Sequence, residues 1–151
     1  MMDGMEGSTP SSQRSGTGSS RDEVIAAQQA ALQASRRREH EQATALIREA
    51  VARWREAGIE PRPLRALPIG GGRPVRTSLT GWYLKPDRTL AVDAAANFYL
   101  MRVDGGLGAR LRGATPEPAE APLVVGRGAR DGETIDLAEL LERRTQDPVI
   151  G

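Results

Sequence analysis

The sequence predicts an α+β fold, in which a small antiparallel β-meander of three to four strands packs with an N-terminal amphipathic helix and a short C-terminal helix. Three observations carry this reading. Four of the five aromatic residues fall between Thr77 and Val103. Apolar residues recur at helical spacing on both sides of that stretch. The first 20 residues are rich in Gly, Ser and Thr and hold no apolar period at all.

The meander rests on three runs, TSLTGWYLK, TLAVD and NFYLMRV, each rich in β-branched and aromatic residues. Pro86-Asp87 separates the first two. Proline pre-sets φ for one corner of a type I turn, and Asp tolerates the next while capping nearby backbone. Ala94-Ala95-Ala96-Asn97 separates the second and third, with Asn97 as its natural turn former. Pro122-Leu123-Val124-Val125-Gly126 reads as a fourth strand ahead of an Asp131-Gly132 turn, after an exposed Pro-rich loop at 113–121. A sheet this small is not stable alone and needs an element laid on a face.

Helices supply that element. Ala43, Leu46, Ile47, Ala50, Val51, Trp54 and Ala57 recur three and four residues apart, one stripe of a helix. Gly58 then closes it in a left-handed conformation, Ile59 folds back onto Trp54, and Pro61 prevents continuation. At the other end, Asp136 reads as an N-cap with Glu139 three residues on, and Ile135 and Leu140 are placed as a hydrophobic staple. Leu137, Leu140 and Leu141 give this helix its apolar face, while Arg143 and Arg144 sit where the helix dipole favours cations.

The expected organisation is therefore a disordered tail over 1–20, an Ala-rich polar helical extension over 21–42, an α+β domain over 43–145 and a short tail over 146–151. Ser20 and Glu23 make a capping box for the extension, which is expected to run unbroken into the 43–57 helix. Cysteine is absent, which excludes disulfides, thiolate metal ligation and thiol chemistry. No run resembles a leader peptide or is long enough to span a bilayer, so the expectation is a cytoplasmic protein without membrane contact.

Twenty of the 21 basic residues are Arg, and with abundant Ala, Gly and Pro this reflects GC-rich coding as much as selection for a polyanion. The distribution says more. Residues 1–60 carry 8 basic and 9 acidic side chains, residues 61–116 carry 9 and 3, and residues 117–151 carry 4 and 8. The β region is basic and the C-terminal region acidic.

No catalytic constellation is legible. His40, the single histidine, lacks a second histidine four residues on and reads as an exposed helix residue. The glycine runs at 70–72 and 105–108 lack the strand, helix and lysine of a phosphate loop, and read as connectors. Outside the tail the serines are Ser35 and Ser78, neither in a nucleophile elbow, and Asp87, Asp93, Asp104 and Asp131 all sit at turns. The expectation is a protein that is not an enzyme and holds no metal or cofactor.

What remains is a non-catalytic protein–protein interaction or regulatory module, with the 21–42 helix as one contact element. The alternative is a single-stranded nucleic-acid-binding protein using region 61–116, where Arg73 and Arg76 would contact phosphates and Trp82 and Tyr83 would stack on bases. Strand alternation separates two faces. Trp82, Leu84, Leu90, Val92, Phe98 and Leu100 form the expected core face. The opposite face carries Leu79, Tyr83, Lys85, Ala91, Tyr99 and Met101, too apolar for a solvated surface. Tyr83, Lys85, Tyr99 and Met101 are accordingly the candidate interaction surface, with both tyrosines partly exposed, unless a helix covers that face.

Overall fold

The structure, a computed structural model, describes residues 9–126 and 133–149, with side chains from residue 19 onward. In chain order the elements are α1 (Thr9–Glu56), β1 (Arg62–Pro68), β2 (Val75–Tyr83), β3 (Leu90–Asp93), β4 (Phe98–Leu100), β5 (Arg102–Val103), α2 (Leu107–Arg112), β6 (Val124–Val125), β7 (Ile135–Asp136) and α3 (Leu137–Gln146). The chain divides into two compact units at Arg38/Glu39.

The expected extension and amphipathic helix are one helix, α1. It starts ahead of the capping box expected at Ser20, because each added residue gains one hydrogen bond once a helix is nucleated. Gly16 and Gly18 each weaken that first stretch by about 1 kcal/mol relative to Ala. Residues 1–8 of the expected tail lie outside the described residues. The helix ends as its sequence dictates. Gly58 takes φ +79°, its N–H donates to the Arg55 carbonyl at 3.1 Å, and the Ile59 N–H donates to the Trp54 carbonyl at 2.8 Å, the paired bonds of a Schellman ending.

The second unit is built on a five-stranded sheet in the order β4-β3-β2-β1-β5. β2, β3 and β4 form the expected meander: Trp82 faces Val92, which faces Phe98, and Tyr83 faces Ala91, which faces Tyr99. β1 was not expected, and it holds Pro63 and Pro68, a residue type confined in sheets to positions that need no donor. It pairs antiparallel with β2 and parallel with β5. Both prolines fall where no donor is needed. Leu67 and Ile69 point their N–H groups at β5, so Pro63 faces the same side beyond the reach of β5, and Pro68 faces β2 beyond its first residue.

A single residue, Met101, separates β4 from β5, and its peptide groups close the sheet on itself. The Met101 N–H donates to the Thr89 carbonyl at 2.8 Å, beside β3, while its carbonyl accepts from the Leu67 N–H of β1 at 2.6 Å. The two edges of the sheet thus meet, as in a barrel. Inside lie Leu64, Ala66, Tyr83, Ala91, Tyr99 and Met101, all buried, with Leu79, Val103 and Val149 at the margin. Ala91 sits between the two tyrosines along the register and leaves room for both rings.

The face expected to be an open docking surface is therefore the interior of this closure. Tyr83 is 7% exposed, Tyr99 4% and Met101 fully buried. The cover is the chain's own sheet and not a helix, and Val149 adds a bridge to Tyr83.

The outer face carries the larger core, where Trp82, Leu84, Leu90, Val92 and Phe98 meet Ala43, Ile47, Ala50, Val51 and Trp54 of α1 and Leu137, Leu140 and Leu141 of α3. Ala57, expected on the α1 stripe, is exposed. Leu100 has the right parity for the core but lies past its cover, 55% exposed. Asp136 takes the N-cap position of α3 with extended backbone, although its side chain makes no cap bond. The Pro-rich loop is pinned to the sheet: the Ala114 and Ala119 N–H groups donate to the Arg76 and Phe98 carbonyls, each at 2.7 Å. The expected fourth strand pairs with β7 in a separate ribbon, and the Asp131-Gly132 turn lies outside the described residues.

Trp54 anchors the helical layer. Its indole lies 5.4 Å from that of Trp82, tilted by 50°, and its Nε1–H donates to Thr145 Oγ1 at 2.9 Å. Replacing this 1%-exposed side chain leaves a cavity between α1, α3 and the sheet. Trp54→Ala should lower unfolding free energy by about 3–5 kcal/mol, measured by chemical denaturation. A loss under about 1 kcal/mol would mean that the helical layer does not depend on this contact.

Candidate functional site

The residues singled out from sequence separate into interior and surface. Inside, Tyr83 and Tyr99 share one face, as alternation requires, but both hydroxyls serve the fold. The ladder between β1 and β2 slips between Pro63 and Arg65. Thr77 bridges that break, its Oγ1 donating to the Leu64 carbonyl at 2.7 Å and accepting from the Leu79 N–H at 3.1 Å. Arg65 turns its peptide away from β2, and the Tyr83 hydroxyl satisfies it by accepting from the Arg65 N–H at 2.7 Å and donating to its carbonyl at 3.2 Å. Lys85, half-exposed, lies 3.8 Å from Asp87, and so open an ion pair contributes little.

Tyr99 belongs to a second cluster. Its hydroxyl donates to Asp93 Oδ2 at 2.8 Å, which also accepts from Asn97 Nδ2 at 3.1 Å. Asp93 Oδ1 accepts from the Ala95 and Asn97 N–H groups at 3.0 and 2.9 Å. This carboxylate shapes the β3–β4 turn, in which Ala96 and not Asn97 takes the left-handed conformation, at φ +66°. Burial alone would raise the Asp93 carboxyl, but its bonds from Asn97, Tyr99 and Ala95 outweigh burial and hold it below the ordinary 3.8. Burial, then the bond to Asp93 and its charge, push the Tyr99 hydroxyl up to about 12.

His40 is not a free helix residue. Its Nδ1 accepts from the Ala121 N–H at 2.9 Å, and Glu39 Oε1 accepts from the Leu123 N–H at 3.1 Å. Together they tie the start of α1 in this unit to the segment leading into β6. Sequence spacing offered no signal for this, because the partners are 81 and 84 residues away. Among the described residues no group of three His, Asp or Glu side chains is placed to hold a metal ion.

Two surfaces remain. Arg65, Arg73, Arg76 and Arg110 line one shallow hollow, and Arg76 and Arg112 line the next, with no acidic residue in either. Arg73 and Arg76 line these hollows together with Arg110 and Arg112 of the unexpected helix α2. The stacking partners assumed for them are missing, since Trp82 and Tyr83 are buried and the Trp82 Nε1–H is bound to the Ile59 carbonyl at 3.0 Å. The other surface is α1 from Ser19 to Arg38, exposed throughout except for half-buried Ala34. Val24, Ile25 and Leu32, at 53, 47 and 59% exposure, share one stripe of it with Ala31. No helix among the described residues is long and apolar enough to cross a membrane.

The chain matches no protein-family model, no curated protein and no solved structure.

The Asp93–Tyr99 pair makes folding stability depend on pH at both extremes. The Asp93 carboxyl is depressed in the fold, so its contribution is present above the unfolded value near 3.8 and is lost as pH falls through the folded one. The Tyr99 hydroxyl is raised, so its contribution is present below pH 10 and is lost as pH rises toward 12. Melting temperature against pH should fall along both limbs, and Asp93→Asn should flatten the acid limb. Identical acid limbs for the two proteins would remove Asp93 as the cause.

Proposed function

We propose that this protein is a non-catalytic protein–protein interaction module whose contact element is the first part of α1. The observation that carries this reading is the exposed stripe of Val24, Ile25, Ala31 and Leu32 on a helical segment whose side chains are open on all sides. An isolated helix in water is marginal even when its sequence favours it, and burying one apolar stripe against a partner is the usual remedy. The second unit supports the reading from the other direction. Its polar side chains with potential chemistry, His40, Glu39, Asp93 and Tyr99, are each bound to backbone or turn groups. The protein is read as cytoplasmic, and its oligomeric state follows from whether the partner is a second copy.

The test uses the full chain with both exposed residues changed, Ile25→Glu and Leu32→Glu. Neither is buried, so the melting transition of the second unit should stay where it is. Cross-linking in cells, followed by mass spectrometry, should recover a defined partner with the original protein and lose it with the double variant. Recovery of the same partner by both proteins would remove α1 as the contact element.

A second reading is favoured by one observation, the five arginines that line the two hollows free of acid. It is nucleic-acid binding through phosphate alone, since the aromatic residues are buried. Oligonucleotide affinity should then fall steeply with salt, and Arg73→Ala with Arg76→Ala should weaken it and reduce the salt slope by about 2. No binding at low salt below roughly 100 μM, the weak end of non-specific affinity, would end this reading.

A further inference from the structure

We propose that a cavity in the second unit binds a small molecule made of a flat apolar body and one carboxylate, with Arg144 as the partner of the carboxylate. This goes beyond the interaction reading and does not depend on it. The cavity, about 200 Å³, lies where the end of α1, the paired strands β1 and β2, and the end of α3 come together. Trp54, Trp82 and Tyr83 are among its lining residues, with the aliphatic Ile59, Leu64 and Val149. Each aromatic residue has already committed its polar group, to Thr145, to the Ile59 carbonyl and to the Arg65 peptide, and Trp82 and Tyr83 keep a small exposed remainder, 7% each.

Arg144 is the exception. It lines the same cavity at 8% exposure, and its Nε–H has no hydrogen-bond partner. Two buried side-chain atoms among the described residues share that condition, Thr44 Oγ1 and Arg144 Nε, and only the second is charged and at a cavity. A buried guanidinium with an unsatisfied N–H is costly unless an anion pairs with it. The position of Arg144 in the last turn of α3 accounts for a cation there, since the helix dipole favours one. It does not account for turning that cation inward, whereas the adjacent Arg143 reaches Glu139 at 2.9 Å in the open.

Charge and size then select the ligand. The cavity's ionisable residues are Arg62, Arg144 and Glu60, a formal charge of +1, with Arg62 and Glu60 exposed at the mouth. One negative charge balances that lining, as a carboxylate provides and a phosphate dianion exceeds. The guanidinium offers a carboxylate two parallel N–H donors, and the indole and phenol faces suit a planar apolar body.

Both of the chain's tryptophans wall the cavity, so their emission reports binding directly. The full chain is titrated with benzoate and, separately, with benzamide, which has nearly the same shape and no charge. Benzoate is expected to give a saturable change in tryptophan emission and a raised melting temperature, with benzamide at least tenfold weaker. In Arg144→Met the benzoate response should weaken to the benzamide level. Absence of a saturable response to benzoate up to roughly 10 mM, beyond the weak end of specific small-ligand affinity, overturns the proposal. Equal affinity for benzoate and benzamide also overturns it, because Arg144 would then serve packing alone. Should the Arg144 variant fail to fold, the comparison of the two compounds on the original protein still decides.

Discussion

Closure of the sheet at Met101 is the constraint on which the second unit depends. One residue donates its N–H beside β3 and offers its carbonyl to β1, so the strand of which it is part changes neighbours without leaving the sheet. An open five-stranded sheet would have two edges with unpaired backbone and a second apolar face in water. Closure covers that face. It converts the row of Tyr83, Ala91 and Tyr99 from an exposed patch into an interior, and it fixes β1, whose prolines would otherwise argue against any strand. The cost is local. Where the β1–β2 ladder slips between Pro63 and Arg65, a few peptide groups lose their ladder bonds, and the hydroxyls of Tyr83 and Thr77 satisfy them.

The outer face is finished by different means. A helix end closed by Gly58 brings Trp54 over Trp82, and α3 adds three leucines to the same core. Much of the remaining polar chemistry serves this assembly. Asp93 holds a turn, His40 and Glu39 hold a loop, and Thr145 accepts from Trp54 while donating to the Leu141 carbonyl. Such groups are buried or half-buried because they are satisfied, in keeping with the high cost of leaving backbone polar groups unpaired.

Against that background the unsatisfied features carry the functional reading. They are of three kinds: an apolar stripe on an exposed helix, a run of arginines without carboxylates, and one buried guanidinium at an aromatic cavity. The stripe lies between Val24 and Leu32 of α1, while the arginines and the cavity belong to the second unit.

The sequence by itself determined the local features. Three- and four-residue spacing placed the stripe from Ala43 to Trp54, Gly58 and Ile59 set the helix ending, and period-two alternation put Tyr83 and Tyr99 on one face. All of these depend on interactions within a few residues, which periodicity records. Only the tertiary structure decided whether the tyrosine face was open, where β1 lay, and that Arg144 met Trp54 and Trp82 at a cavity. The parallel pairing of β1 with β5 joins residues more than 30 positions apart, and the cavity gathers side chains from residue 54 to residue 149. Hydrophobic patterning states that a face must be covered but does not name the cover, because burial free energy depends on area removed from water and not on which segment removes it.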